Sequence, residues 1–135
     1  MSTNQPIYKL LDWIDENKLD WARLSLNFNA IKLLEENQDK INWDFLSFNK
    51  NAIHLLEQNL DKINWLNLSE NKNAIKLLEQ NQDKINWEYL SYNINAIKLL
   101  EKKNFIYWDD LSINSSILPG NRKAIWIFSK TSIRN

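Results

Sequence analysis

Residues 39–60 read DKINWDFLSFNKNAIHLLEQNL, and residues 61–82 return nearly the same phrase as DKINWLNLSENKNAIKLLEQNQ. The period of 22 residues extends to both sides, because Trp21, Trp43, Trp65 and Trp87 are evenly spaced and Trp108 follows 21 residues later. Self-similarity at a fixed period of this length is typical of repeat architectures, in which each unit buries its apolar face against its neighbours. The sequence therefore predicts a tandem-repeat protein.

Each unit is predicted to contain two short helices, which we call helix A and helix B. In the unit at 39–60, Asn42 can cap helix A, at about residues 43–48, and Asn51 can cap helix B, at about residues 52–58. Asn59 can end helix B in the left-handed conformation that Asn tolerates. The spacing of the apolar residues fits helices in both segments.

Helices of about six to eight residues are marginal alone, so their stability must come from stacking on neighbouring units. The predicted fold class is all-α, a short α-solenoid of helix-turn-helix repeats. A leucine-rich repeat is the alternative, since residues 66–71 would suit its strand and Asn turn. We expect a single repeat domain over 1–135, with an N-terminal cap at 1–16, repeats at about 17–38, 39–60, 61–82 and 83–103, a degenerate unit at 104–118 and a C-terminal cap at 119–135.

Composition excludes several classes of function. The 17 basic residues balance 17 acidic ones, which argues against a broad surface for nucleic acid or anionic membranes. The chain has one His, no Cys and one Gly. Without Cys it cannot form a thiolate metal site, and with one Gly it cannot form a Gly-rich phosphate loop. Adjacent carboxylates such as Asp15-Glu16 and Asp109-Asp110 point apart on a helix. We therefore expect no enzyme activity, catalytic residue, cofactor or metal, and no membrane span.

The repeated phrase Asp-Lys-Ile-Asn-Trp-x-x-Leu-Ser-x-Asn-x-Asn-Ala-Ile-x-Leu-Leu-Glu resembles short tandem repeats of giant DNA viruses of the mimivirus type, over roughly residues 7–112. Those repeats often carry Pro between the two Asn residues, where this chain has Phe28, Lys50, Lys72 and Ile94. The resemblance implies a viral protein of the host cytoplasm or the virion, and a cytoplasmic location. It implies no catalytic residue and no known ligand.

Three repeated columns of residues could bind ligands but have simpler interpretations. The Trp column could stack bases, yet each unit needs a core and Trp supplies one. The Asn columns are expected to cap helices and satisfy turns. A phosphate-binding stripe on helix B would lack an adjacent acidic column, whereas this chain has one, so a solvated charge ladder is expected from Lys32, His54, Lys76 and Lys98 beside Glu35, Glu57, Glu79 and Glu101.

The informative positions are those that vary between units on the side of helix A that faces away from Trp43 and Leu46. Variation marks surface that is free to fit a partner, and exposed aromatic pairs are unusual unless a partner buries them. The alternative is that these rings pack inside the stack. The predicted partner-binding residues are Phe45, Phe48, Asn67, Glu70, Tyr89 and Tyr92.

The sequence thus favours a non-enzymatic protein–protein interaction module whose protein partner it does not name. The alternative class is a self-assembling structural protein, in which the aromatic pairs would join copies into a homo-oligomer or a virion layer. Single-stranded nucleic-acid binding is a weaker third class, because the chain is neutral and its lysines adjoin glutamates.

Overall fold

The computed structural model describes residues 10–103, which include four units of the repeat. Helix A of each unit is α1 (Trp21–Leu26), α3 (Trp43–Phe48), α5 (Trp65–Glu70) and α7 (Trp87–Leu90). Helix B is α2 (Ile31–Glu36), α4 (Ile53–Glu57), α6 (Ile75–Gln80) and α8 (Ile97–Lys103). The predicted degenerate unit at 104–118, the C-terminal cap at 119–135 and most of the N-terminal cap lie outside the described residues.

The architecture is a short helical repeat solenoid, in which α1 packs on α3, α3 on α5 and α5 on α7. No strand occurs between residues 10 and 103, so the leucine-rich alternative is wrong for this part of the chain. A third element was not predicted: a turn of 3₁₀-helix leads into each A helix. These turns are Glu16–Lys18, Gln38–Lys40, Leu60–Lys62 and Gln82–Lys84.

The A helices begin as their sequence predicts. The side-chain oxygen of Asn42 accepts a hydrogen bond from the backbone N–H of Phe45 at 3.0 Å, and Asn86 does the same for Tyr89 at 3.0 Å. Asp20 takes this place in the first unit and accepts from the N–H of Arg23. A side-chain acceptor at this position satisfies one of the N–H groups that the first helical turn leaves without a partner.

The B helices begin differently from the prediction. Helix α4 starts at Ile53, and its N-cap is Ala52, which makes no side-chain cap. Asn51 is therefore not the cap; its side-chain amide donates instead to the backbone carbonyl of Phe28 in the preceding unit, at 3.1 Å. Asn49 holds the turn, because its side-chain oxygen accepts from the N–H of Asn51 at 3.0 Å.

The end of α4 also differs from the prediction. Asn59 has φ of −135°, outside the left-handed region that was expected. Its side-chain amide donates to the carbonyl oxygen of Leu55 at 2.9 Å and so satisfies the helix end without a left-handed residue. Asn37 and Asn81 repeat this bond in their units. The chain then continues directly into the next 3₁₀ turn.

The core is a column of leucines rather than of tryptophans. Leu46 of α3 and Leu56 of α4 are fully buried, and Leu68 and Leu78 repeat them one unit later. The Trp rings are half-buried and pack against the edge of this core. The prediction that the Trp column belongs to the core is thus confirmed in part, because the rings pack against the core but are only partly buried.

A polar ladder runs through the core beside the leucines. The hydroxyl of Ser47 donates to the carbonyl of Trp43 at 2.7 Å and accepts from the N–H of Asn64 at 3.0 Å. The amide of Asn71 donates to the carbonyl of Ser47 at 2.9 Å. Within the part of the chain that the structure describes, every buried side-chain nitrogen and oxygen has a hydrogen-bond partner. The ladder therefore joins successive units at no cost in unsatisfied polar groups.

Candidate functional site

Five of the six predicted partner-binding residues lie on the A helices α3, α5 and α7, and Tyr92 lies in the turn that follows α7. In α3, Leu46 and Ser47 are buried, whereas Phe45 and Phe48 are 38% and 37% exposed. At about 100° per residue, the two rings fall on the side opposite the core. The structure therefore places this Phe pair at the surface and not between layers of the stack.

The central pair of the predicted surface is half-buried. The side-chain amide of Asn67 donates to the carbonyl oxygen of Asp44 at 3.0 Å, which joins α5 to α3. Asn64 adds a second link, because its amide donates to the Asp44 carboxylate at 2.8 Å. The side-chain amide of Asn67 thus already donates a hydrogen bond between units, which reduces its capacity to donate to a partner.

Glu70 is the carboxylate at the centre of the surface. Partial burial raises the pKa of Glu70 above its ordinary value, because desolvation disfavours the charged form. Between residues 10 and 103, no lysine, arginine or histidine forms an ion pair with it. Glu70 is therefore a partly desolvated carboxylate without a cation in the described chain.

The Tyr pair at the far end is half-buried and self-associated. The rings of Tyr89 and Tyr92 meet edge to face, with centroids 6.2 Å apart and planes at 67°. This geometry is favourable for aromatic pairs and holds the two rings in one arrangement.

Further exposed apolar side chains, which were not among the predicted binding residues, lie in the first and third units. Leu26 and Phe28 in the first unit are 41% and 45% exposed, and Leu66 on α5 is 38% exposed. Leu26 holds the position in its unit that Phe48 holds in the next, so it belongs to the variable column that the sequence singled out, although it was not among the predicted binding residues. Leu66 stands where the neighbouring units have Asp44 and Glu88, a second variable column that was not considered.

The Trp column is closed to stacking ligands by lysines. The ammonium of Lys40 lies 4.6 Å from the ring centroid of Trp21, Lys62 lies 4.7 Å from Trp43, and Lys84 lies 4.9 Å from Trp65. Each lysine comes from the 3₁₀ turn of the following unit. Since an ammonium lies over each of these three rings, the column does not form an open platform for bases.

Within residues 10–103, one ion pair joins the two charged columns of the B helices, and it lies between units. His54 of α4 contacts the carboxylate of Glu35 on α2, and Lys102 lies 3.8 Å from Glu79 on α6. Lys102 lies outside the predicted column, and no ion pair in the described segment joins two predicted residues three positions apart in one B helix. Exposed pairs of this kind contribute little stability, roughly 0–1 kcal/mol each.

No metal or membrane feature occurs in the segment from Leu10 to Lys103. That segment holds no group of three or more acidic or histidine side chains that could bind a metal ion. It also has no helix with the length and apolarity to cross a bilayer. Asp15, half of one carboxylate pair, caps the first 3₁₀ turn by accepting from the N–H of Asn17 at 3.0 Å. Asp109-Asp110 lies beyond the described residues.

Comparison with known proteins gives no relative from which a role could be transferred. No family description, curated protein or solved structure matches the chain. The geometry of the outer face is therefore the basis for assigning a function.

Proposed function

We propose that this protein is a non-enzymatic interaction module that presents the outer face of its A helices to another protein. The observation that carries the proposal is the exposure of Phe45 and Phe48 on one short helix whose other side is fully packed. Large apolar side chains that gather at a surface are typical of protein interfaces, where aromatic anchors supply much of the binding energy.

The pattern of variation supports the same function. Leu46 and Ser47 recur as Leu68 and Ser69 because each unit needs the same packing. The outward positions change from Phe to Asn, Glu and Tyr although the backbone repeats. A surface that varies on a constant scaffold is the arrangement by which helical solenoids are fitted to their partners.

Self-assembly is the competing function, because an exposed Phe pair could equally be buried by a second copy of the chain. Nucleic-acid binding is disfavoured by the neutral charge and by the lysines that cover the Trp rings. The resemblance to viral tandem repeats supports a role in a virus-infected cell or a virion, and this setting is part of the proposal.

The test is affinity capture from host-cell lysate with three forms of the chain. The wild type is compared with Phe45→Ser/Phe48→Ser and with Lys32→Ser/Lys76→Ser, a control that alters exposed positions of the B helices. We expect the control to retain the same proteins as the wild type and the aromatic variant to lose them. Retention of the same proteins by all three forms would contradict the proposal.

Light scattering across a range of protein concentrations distinguishes binding to another protein from self-assembly. A monomer at every concentration supports an interaction with a different protein. A wild-type oligomer that dissociates in the Phe45→Ser/Phe48→Ser variant would instead assign the outer face to self-assembly.

A further inference from the structure

One repeated position, at the end of α3, at the end of α5 and in the turn after α7, has a carboxylate in the middle unit and an aromatic side chain in the units on both sides. Phe48, Glu70 and Tyr92 hold the same position in three successive units, 22 residues apart. Phe48 and Glu70 end α3 and α5, which pack on each other, and Tyr92 lies in the turn after α7, which packs on α5. The three positions therefore follow one another along the stack. We call this group the acid–aromatic row. The axes of helices in contact lie about 8–10 Å apart, so one long side chain of a partner can reach residues at this position in adjacent units.

Charge on this face has one sign. Residues 43–48, 65–70 and 87–92 contain the three carboxylates of Asp44, Glu70 and Glu88 and no lysine, arginine or histidine. The chain as a whole is neutral, so its cations are concentrated elsewhere. An acidic face of this kind attracts a basic partner and disfavours an acidic one.

The nearby lysines are directed to other places. Lys62 and Lys84 lie over the Trp rings, and Lys50 lies 4.6 Å from the ring centroid of Phe28. Lys72 lines a groove on the side of the B helices, together with Ile75 and Lys98. Glu70 is thus left without a cation in the described chain, although its partial burial already disfavours its charge.

We infer that the acid–aromatic row binds an arginine or lysine side chain of a basic peptide segment, with the cation against Glu70 and between the flanking aromatic rings. A carboxylate beside ring faces offers a cation both an ion pair and cation–π contacts within about 6 Å of a ring centroid. The fold itself uses the cation–π part of this chemistry, because Lys50 lies over Phe28 and Lys62 over Trp43. Arginine is favoured over lysine, since its planar group can pair with a carboxylate and stack on a ring together.

The inference rests on the proposed interaction function and names the chemistry of its partner. It is tested with the full chain and a defined probe, the blocked peptide Leu-Arg-Ala-Arg-Leu, followed by amide NMR spectra. We expect saturable shifts centred on residues 65–70. The matched peptide Leu-Glu-Ala-Glu-Leu should give no such shifts, and equal binding of the two peptides would overturn the inference.

Two substitutions of similar chemistry locate the site. Glu70→Gln should weaken the arginine peptide about tenfold, the effect of losing one charge-assisted hydrogen bond. Glu57→Gln, on an exposed position of α4, should leave its affinity unchanged. We expect Glu70→Gln to keep the fold, because partial burial already favours the neutral form of this carboxyl group. Far-UV circular dichroism of the variant checks this expectation. Equal affinity of both variants for the peptide would overturn the inference.

Capture from lysate separates this inference from the proposed function. If Phe45→Ser/Phe48→Ser loses the captured protein and Glu70→Gln retains it fully, the interaction function stands and the basic-segment inference fails. If both variants lose the protein, both statements are supported. If neither loses it, both statements are wrong.

Discussion

The side-chain amide of Asn71 donates a hydrogen bond to the backbone carbonyl of Ser47 at 2.9 Å, across 24 residues of sequence. Ser47 lies in the last turn of α3, where helix carbonyls have no partner within the helix. Asn71 is 3% exposed, so the bond is closed to water. Asn49 makes the same bond to Ser25 and Asn93 makes it to Ser69. A side chain of each unit thus completes the helix of the unit before it.

Asn71→Ala should therefore destabilise the chain by about 1–3 kcal/mol, because the buried carbonyl of Ser47 is left without a donor. Asn73→Ala is the matched control. The amide of Asn73 also donates to the preceding unit, to the carbonyl of Lys50 at 2.9 Å, but at an exposed position where water can replace it. Urea unfolding should show a loss below about 1 kcal/mol for the control. Equal losses of stability in the two variants would mean that burial does not determine how much these hydrogen bonds stabilise the chain.

The contact of Lys84 with Trp65 can be measured by a double-mutant cycle. Trp65→Ala should cost about 3 kcal/mol, because the ring packs against the leucine core even though it is half-buried. Lys84→Ala should cost at most about 1 kcal/mol, the range for an exposed cation–π pair. We expect a coupling energy of about 0.5–1 kcal/mol in thermal or urea unfolding. A coupling of zero would show that the ammonium does not stabilise the ring.

The repeat period itself predicts the outcome of deletions. Removing residues 61–82 joins Leu60 to Asp83 and recreates the natural junction, with Asn93 placed to bond to Ser47 in place of Ser69. The shortened chain should stay helical and be less stable, because one interface between units is lost. Removing residues 61–81 leaves one extra residue at the junction and should lose cooperative unfolding, as followed by circular dichroism. Similar melting of the two deletions would contradict a fixed register.

The pKa of Glu70 predicts a pH dependence of stability. Because burial raises this pKa in the folded chain, the charged carboxylate lowers stability. This penalty is absent below the pKa of the unfolded chain and grows as pH rises through the folded value. Glu70→Gln should therefore melt at a higher temperature than the wild type at about pH 7 and at the same temperature at about pH 3.

The charged groups on the helices beside α5 are the carboxylates of Asp44 on α3 and Glu88 on α7. Glu57→Gln serves as the control, and its melting temperature should differ little from that of the wild type at both pH values. A higher melting temperature of Glu70→Gln at low pH only would contradict this account.

The sequence predicted those features that depend on local spacing. The Asn42 cap is an example, because its acceptor reaches an N–H three residues later. Asn51 is the same residue type before a helix, yet its amide bonds to Phe28, 23 residues away. The position of Lys62 over Trp43 likewise depends on how units stack. Contacts across units could not be predicted from residue type and periodicity, because they require the angle between successive units.

The outer face was predicted in part for the same reason. Helical spacing placed Phe45 and Phe48 away from the core, and both are exposed. It did not show that the side-chain amide of Asn67 would donate to the carbonyl of Asp44, because that hydrogen bond crosses from α5 to α3. Nor did it show that Glu70 would be partly desolvated, which depends on the side chains of neighbouring units.

Hydrogen–deuterium exchange of the chain, with and without the protein that it captures, tests the central claim most directly. The account predicts added protection in peptides that cover residues 43–48 and 65–70, the A helices α3 and α5 of the middle units. Peptides that cover residues 53–57 and 75–80 should exchange at unchanged rates. Protection confined to these B-helix peptides would contradict the claim that the outer face of the A helices binds the partner.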